Sequence, residues 1–363
     1  MPEFIPGREL SRLFYHEAVR PILDSRFPGL EHTACLIGTG SDVLGYDTFE
    51  STDHEWGPRL RLFLSQDDWD KRADDIDGLL SAELPRRFRG FSTSFSEQDE
   101  EGVRVLVDAE DGPIRHGVRI GTLNQFFKSS LRIDPFGEIS PAQWLTFSEQ
   151  SLLEVARAAV YHDDFGLAEV QTRLTYYPHD VRLYLLASQW RRIDQLEPFM
   201  GRSGNVGDEL GSKLIAHQIV LDLVRLCFLM EKRYAPYAKW LGTAFRELDC
   251  TGEMMPLMTA VLDAHGWEER QTHLSRAYEL VATTHNGLRI TEPLSIEVRP
   301  FHGRPYLVSG AGRFVSAISK RIIDPSVQTL PDFLGSVDQI SHSVDILTSP
   351  HRREVLQGLY KLP

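Results

Sequence analysis

The sequence predicts an α+β fold that is mainly helical overall: a small mixed-sheet domain over 1–135, followed by a larger α-helical domain over 140–363. Three observations predict it. Arg59-Leu-Arg-Leu-Phe-Leu64 alternates as a strand with one buried face does. Asp134-Pro-Phe-Gly137 and Ser140-Pro141 punctuate the chain as a connector. Beyond them, apolar residues recur at helical spacing through long stretches.

Residues 8–27 carry Leu10, Leu13, Phe14, Ala18 and Ile22 on one helical stripe, with Pro21 placed to kink or divide it. Pro28-Gly29 ends that helix, and Thr33 to Ile37 forms a short strand. After the strand at 60–64, Asp67 and Asp68 open a helix through about Leu84, with acids favourably near its N-terminus. Val103–Val107 and Val118–Ile120 are further strands, separated by Glu110-Asp-Gly-Pro113. In the second half, Glu149–Tyr161, Leu167–Leu174, Val181–Met200, Asp208–Arg233, Tyr237–Leu248, Met254–His265 and Trp267–His285 read as helices. Gly201 to Gly207 reads as a flexible loop. Pro293, Pro300 and Pro305 exclude a long helix between Gly287 and Val308. Shorter helices near Arg313–Ile322 and Arg352–Gln357 complete the chain.

The 363 residues suffice for two domains, and 42% hydrophobic with 25% charged residues is ordinary for a globular protein. A formal net charge of −13 argues against a general polyanion binder, which needs clustered Lys and Arg. Cys35, Cys227 and Cys250 are odd in number and scattered, so neither a disulfide framework nor a CxxC metal site is indicated. Met1 to Leu10 lacks the pattern of a signal peptide, and Ile219 to Met230, interrupted by Asp222 and Arg225, is too short to span a bilayer. A reducing cytoplasm is the expected compartment.

The chemistry concentrates in Leu36-Ile-Gly-Thr-Gly-Ser-Asp42 and Asp53-His54-Glu55. Residues two apart in an extended segment point to one face, so Asp53 and Glu55 are expected to converge while His54 turns away. Two converging carboxylates beside a Gly40-Ser41 turn suit a divalent cation carrying a nucleoside triphosphate. Commoner glycine motifs fail. A dinucleotide fingerprint needs glycine where Val43 stands, a Walker loop needs Gly-Lys-Ser/Thr, and a hydrolase elbow needs Gly-x-Ser-x-Gly.

The order and spacing of Gly40-Ser41 and Asp53-His54-Glu55 resemble the polymerase-β-like nucleotidyltransferase superfamily. Asp53-His-Glu-Trp-Gly-Pro-Arg-Leu60, Tyr177-Pro-His-Asp180, Arg233-Tyr-Ala-Pro-Tyr-Ala-Lys-Trp240 and Gly335-Ser-Val-Asp-Gln-Ile340 resemble marks of a bacterial nucleotidyltransferase-like family, mostly uncharacterised, with a helical C-terminal domain. The outline is similar to aminoglycoside-type nucleotidyltransferases, whose helical domain closes over the nucleotide and presents the acceptor. The resemblance implies nucleotidyl-transfer chemistry and no particular substrate. The expected reaction moves NMP from an NTP, most simply ATP, to a hydroxyl of a small molecule, since the acidic net charge disfavours tRNA or DNA as acceptor. Two Mg²⁺ ions roughly 3.5–4 Å apart would activate that hydroxyl and neutralise the leaving pyrophosphate.

On that resemblance Asp53 and Glu55 are the expected metal ligands, and Gly40 and Ser41 the expected phosphate-binding turn. The superfamily's third carboxylate belongs on a neighbouring strand, where this chain has Arg119. Asp108 is the best substitute, with a solvated turn residue as the competing reading. Pro236 opens a helix that brings Lys239 within reach of a triphosphate, while Tyr234 or Tyr237 would stack on a base. Core packing for the tyrosines and a solvated Lys239 compete with that reading. His162-Asp163-Asp164 and His179-Asp180 lack metal-ligand spacing and read as a helix boundary or turn. Arg119 motivates an alternative, a catalytically impaired nucleotide-binding pseudoenzyme acting as sensor or scaffold. If Asp108 joins Asp53 and Glu55, transfer is expected; if Arg119 takes that position, sensing is. A tRNA-modifying transferase would need a continuous basic run, which the sequence lacks.

Overall fold

A computed structural model describes residues 2–100, 102–109 and 111–361. Its first helix is not interrupted at Pro21. It runs as α1 (Gly7–Phe14), one wider π-type turn (Tyr15–Val19) and α2 (Arg20–Arg26). Proline lacks an N–H and crowds the carbonyl one turn back, and a locally wider turn seats it without ending the helix. Leu10, Phe14, Tyr15, Val19 and Leu23 all face inward.

The remaining elements of the first half are β1 (Thr33–Leu36), the single turn α3 (Ser41–Leu44), β2 (Arg59–Phe63), α4 (Gln66–Glu83), the short pair β3 (Arg87–Phe88) and β4 (Phe91–Ser92), β5 (Gly117–Gly121) and α5 (Leu123–Ser130). Then follow α6 (Pro141–Thr146), α7 (Glu149–Ala156), β6 (Ala159–Asp163) and α8 (Leu167–Arg173). Among the described residues, a four-stranded sheet runs in the order β5-β2-β1-β6. β1 is antiparallel to both neighbours and β2 is parallel to β5, so the sheet is mixed. Leu60 and Leu62 of β2, Ala34 of β1 and Val118 of β5 bury against Leu10, Phe14, Ile76 and Leu80 of the helices. Arg59 and Arg61 alternate to the other face, as the period of two requires.

Two strand expectations change. Val103–Val107 is not a ladder strand. Leu106 makes an isolated bridge to Phe95, the Ser96 N–H donates to the Val105 carbonyl, and the Arg104 carbonyl accepts from the Glu55 N–H. Its two sides are thus shared between an irregular segment and a loop. Conversely, the expected helix Glu149–Tyr161 stops at Ala156, and Ala159–Asp163 becomes β6 on the free edge of β1. A short apolar run is ambiguous by periodicity, and an available sheet edge decides it. The β1–β6 register shifts between Ala34, opposite His162, and Cys35, opposite Val160, so Tyr161 is an extra residue.

The helical part contains α9 (His179–Asn205), α10 (Glu209–Met230), α11 (Ala238–Phe245), α12 (Thr251–Asp263), α13 (Trp267–Gly287), the short pair β7 (Arg299–Pro300) and β8 (Leu307–Val308), and α14 (Gly312–Ser319), followed by short turns of helix. The expected loop from Gly201 is helical as far as Asn205, which makes α9 27 residues long. The glycines there serve packing: Trp267 lies directly against Gly204, and Tyr306 against Gly201. The chain groups into two compact units, 1–138 with 151–175, and 139–150 with 176–363. Residues 151–175 therefore fall in the first unit, although they follow the connector. Among the described residues, no helix is long and apolar enough to cross a membrane.

Candidate functional site

β1 delivers the chain into Ile37 and the turn Gly38-Thr39-Gly40. Gly40 has φ 142° and ψ 143°, a backbone state that favours glycine. A β-carbon there would strike the Asp42 carboxylate and the Arg59 guanidinium. Those two groups form a forked pair, with Arg59 Nε donating to Asp42 Oδ2 at 2.9 Å and Nη2 to Oδ1 at 2.6 Å. The Arg59 Nη2 also donates to the Thr39 carbonyl at 3.0 Å. Burial opposes the Arg59 charge, and Asp42 outweighs it, holding its pKa above the ordinary value.

The same sheet face carries two more arginines side by side, because Arg61 of β2 stands in register with Arg119 of β5. Arg61 lies over the Phe126 ring at 4.8 Å, and among the described residues no carboxylate pairs with it. Burial, and then the neighbouring Arg119, lower its pKa to about 10. Arg119 is also lowered, by burial and then by Arg104. Arg104 and Arg119 share Glu55, at 3.3 and 3.1 Å. Arg59, Arg61, Arg104 and Arg119, with Ile37 and Thr39, line an open pocket of about 330 Å³, open solvent included. Four guanidiniums face two carboxylates, Asp42 and Glu55, so four minus two leaves an excess of two positive charges. Such a pocket attracts an anion and suits the planar, multi-donor recognition of phosphate.

The expected carboxylate cluster takes a different form. Asp53 ends a 3₁₀ turn (Phe49–Asp53) and Glu55 sits at φ 46°, so the segment is not extended and the same-face argument does not apply. Asp53 is exposed and pairs with its neighbour His54 at 2.8 Å. Asp108 is also exposed and is gripped by Arg87 at 2.7 and 2.8 Å. Arg119, rather than an acid, reaches Glu55. Among the described residues, Asp53, Glu55 and Asp108 do not form a group with metal-binding spacing, and as placed they do not fit a magnesium pair. The group with that spacing is another, His32, His162 and Asp164.

Gly40 and Ser41 adjoin the pocket without lining it, whereas Thr39 does line it. In the second unit, Tyr234 is buried against Tyr176 and Tyr177 with ring centroids at 5.0 and 5.1 Å, a packing position that leaves no face for a base. Tyr237 is exposed, and Lys239 is exposed with its ammonium 5.0 Å from the Trp240 ring centroid. The other resembling segments are structural. Asp180 accepts the Ile323 and Asp324 N–H groups, and Asp338 accepts that of Glu149. Sequence reasoning does not find the arginine set. Arg59-x-Arg61 is visible as the polar half of an alternating strand, but Arg104 and Arg119 join only through the fold.

The arrangement defines an α+β protein whose small sheet bears a cationic, phosphate-suited pocket. Residues 144–241 match the profile of a family described as a domain of unknown function (DUF4037). That match excludes the pocket. Among solved structures, the chain resembles a nucleotidyltransferase-like protein from Exiguobacterium sibiricum 255-15, at 11% identity over 86% of this chain and 90% of that one, with a TM-score of 0.34. No curated protein matches the sequence.

Proposed function

We propose that the first unit binds a nucleotide through its phosphates, using Arg61, Arg104 and Arg119, and that the chain acts as a nucleotide sensor or scaffold without transferring NMP. The observation that carries this reading is the excess of guanidinium over carboxylate in the pocket. Guanidiniums occupy the surroundings of Glu55 where the transfer chemistry needs a cation. A divalent ion about 4 Å from one guanidinium meets a repulsion of roughly 8 kcal/mol at an effective dielectric of 20. Phosphate oxygens meet attraction from the same groups.

A second reading, Mg²⁺-dependent transfer from ATP to a small-molecule hydroxyl, is favoured by the exposure of Asp53 and by the longer 3.3 and 3.1 Å contacts of Glu55. It requires Arg104 and Arg119 to release Glu55. Calorimetric titration with ATP in EDTA and in Mg²⁺ separates the two. Sensing predicts binding in EDTA that weakens at least about tenfold in Arg61→Gln and Arg119→Gln, since hydrogen bonds to charged groups contribute about 1.5–3 kcal/mol. Binding seen only with Mg²⁺, and abolished by Asp53→Asn with Glu55→Gln, would overturn it in favour of transfer. A nucleotidyl mass increase on a component of a metabolite extract would do the same.

A further inference from the structure

We infer that the first unit carries a second, separate site, for one divalent transition-metal ion, formed by His32, His162 and Asp164. Antiparallel pairing builds it. His32 immediately precedes β1, and its carbonyl accepts the Asp164 N–H at 3.3 Å, so the two residues stand opposite each other. His162 lies two positions before Asp164 and therefore shares its face. The two imidazole rings lie 4.5 Å apart, and one ligand atom from each of the three residues falls within 4.8 Å of the others. The cluster sits at the start of β1 and on the side facing Tyr15. The arginine pocket sits at the end of β1 and on the other face.

The surroundings prepare the ligands as metal sites do. His32 is buried and its Nδ1 bonds the Leu30 carbonyl at 3.0 Å, which leaves Nε2 with the lone pair. Nε2 now accepts from the Tyr15 hydroxyl at 2.8 Å. Asp164 Oδ2 accepts from the His32 backbone N–H at 3.0 Å and meets His162 Nε2 at 2.9 Å, which aims the carboxylate into the cluster. His162 and Asp164 stay partly open, which leaves room for water as a fourth ligand. Two nitrogens and one carboxylate suit Zn²⁺ and its neighbours among first-row metals, and not Mg²⁺ or Ca²⁺. The ion would tie β6 to the start of β1. Helical periodicity could not find it, because its first ligand, His32, and its second, His162, lie on segments far apart in the chain.

The test uses the untagged full chain, stripped with EDTA and titrated with Zn²⁺ alone against a chromophoric competitor. One ion per chain is expected, with a rise in unfolding temperature on loading. His162→Gln and Asp164→Asn, each checked for an intact circular dichroism spectrum, should weaken binding at least about tenfold, while Asp108→Asn should leave it unchanged. Wild-type protein that takes up no stoichiometric zinc overturns the proposal. So does zinc affinity that is the same in the wild type and in whichever of the two ligand variants folds.

Discussion

Gly40 shows how one residue type fixes a site. Its positive φ and the absence of a β-carbon let the Asp42–Arg59 fork close over the turn. Gly40→Ala should therefore cost about 1–3 kcal/mol of stability, the range for a strained non-glycine residue, and should loosen Arg59 from Asp42. Urea unfolding of the wild type and the variant measures it. An unchanged midpoint would mean that the turn relaxes without strain. The turn itself is legible in the sequence, because Gly-Thr-Gly-Ser after an apolar run has few other uses. The geometry of Glu55 is not. Its left-handed backbone is set by the bond from its N–H to Arg104, 49 residues away, and no local pattern encodes such a partner. Arg119 stands out as an arginine where an acid is expected, and that single substitution foretells the character of the pocket.

At the scale of elements, two helical glycines should respond to alanine with opposite signs. Gly78 in α4 is exposed, and the space an added methyl group would fill is open, so Gly78→Ala should stabilise by about 0.5–1 kcal/mol through helix propensity. Gly204 in α9 lies against the Trp267 ring, so Gly204→Ala should destabilise by about 1–3 kcal/mol through overpacking. Thermal unfolding of both variants tests the pair, and stabilisation at both sites would remove the packing account of α9. The same contact explains why the loop expectation fails. Gly201 to Gly207 has the composition of a loop, and tertiary packing makes most of it helix. Long periodic helices and the alternation in β2 are legible because their signals are local. β6 is not, since Ala159–Asp163 becomes a strand only where β1 offers its edge.

For the whole molecule, the α+β class follows from composition and periodicity, while the electrostatics inside the helical unit do not. Glu149 is buried beside Asp338, and burial first, then Asp338, push its pKa up to about 8, despite Arg225 at 3.8 Å. The folded state thus holds a proton that an unfolded glutamic acid, with its pKa near 4.3, has lost. The resulting stability is complete below the unfolded pKa and falls as pH rises through the folded one. Between about pH 6.5 and about 8 the unit should lose on the order of 1–2 kcal/mol. Glu149→Gln should flatten that fall in a series of melting curves. A slope that persists in the variant would assign the loss to other groups.

The extra residue in β6 has a consequence for chain length. With Tyr161 accommodated as a bulge, His162 stands opposite Ala34 and on the same face as His32. If the segment kept its length but lost the bulge, strict alternation from Val160 would turn His162 toward the opposite face of the sheet. Losing the bulge together with one residue would leave His162 opposite Ala34. A homologue of the same length without the bulge could keep both histidines and still be unable to bring them together. Length and bulge read together across this edge would therefore separate relatives that can share the metal cluster from those that cannot, before any ligand is compared.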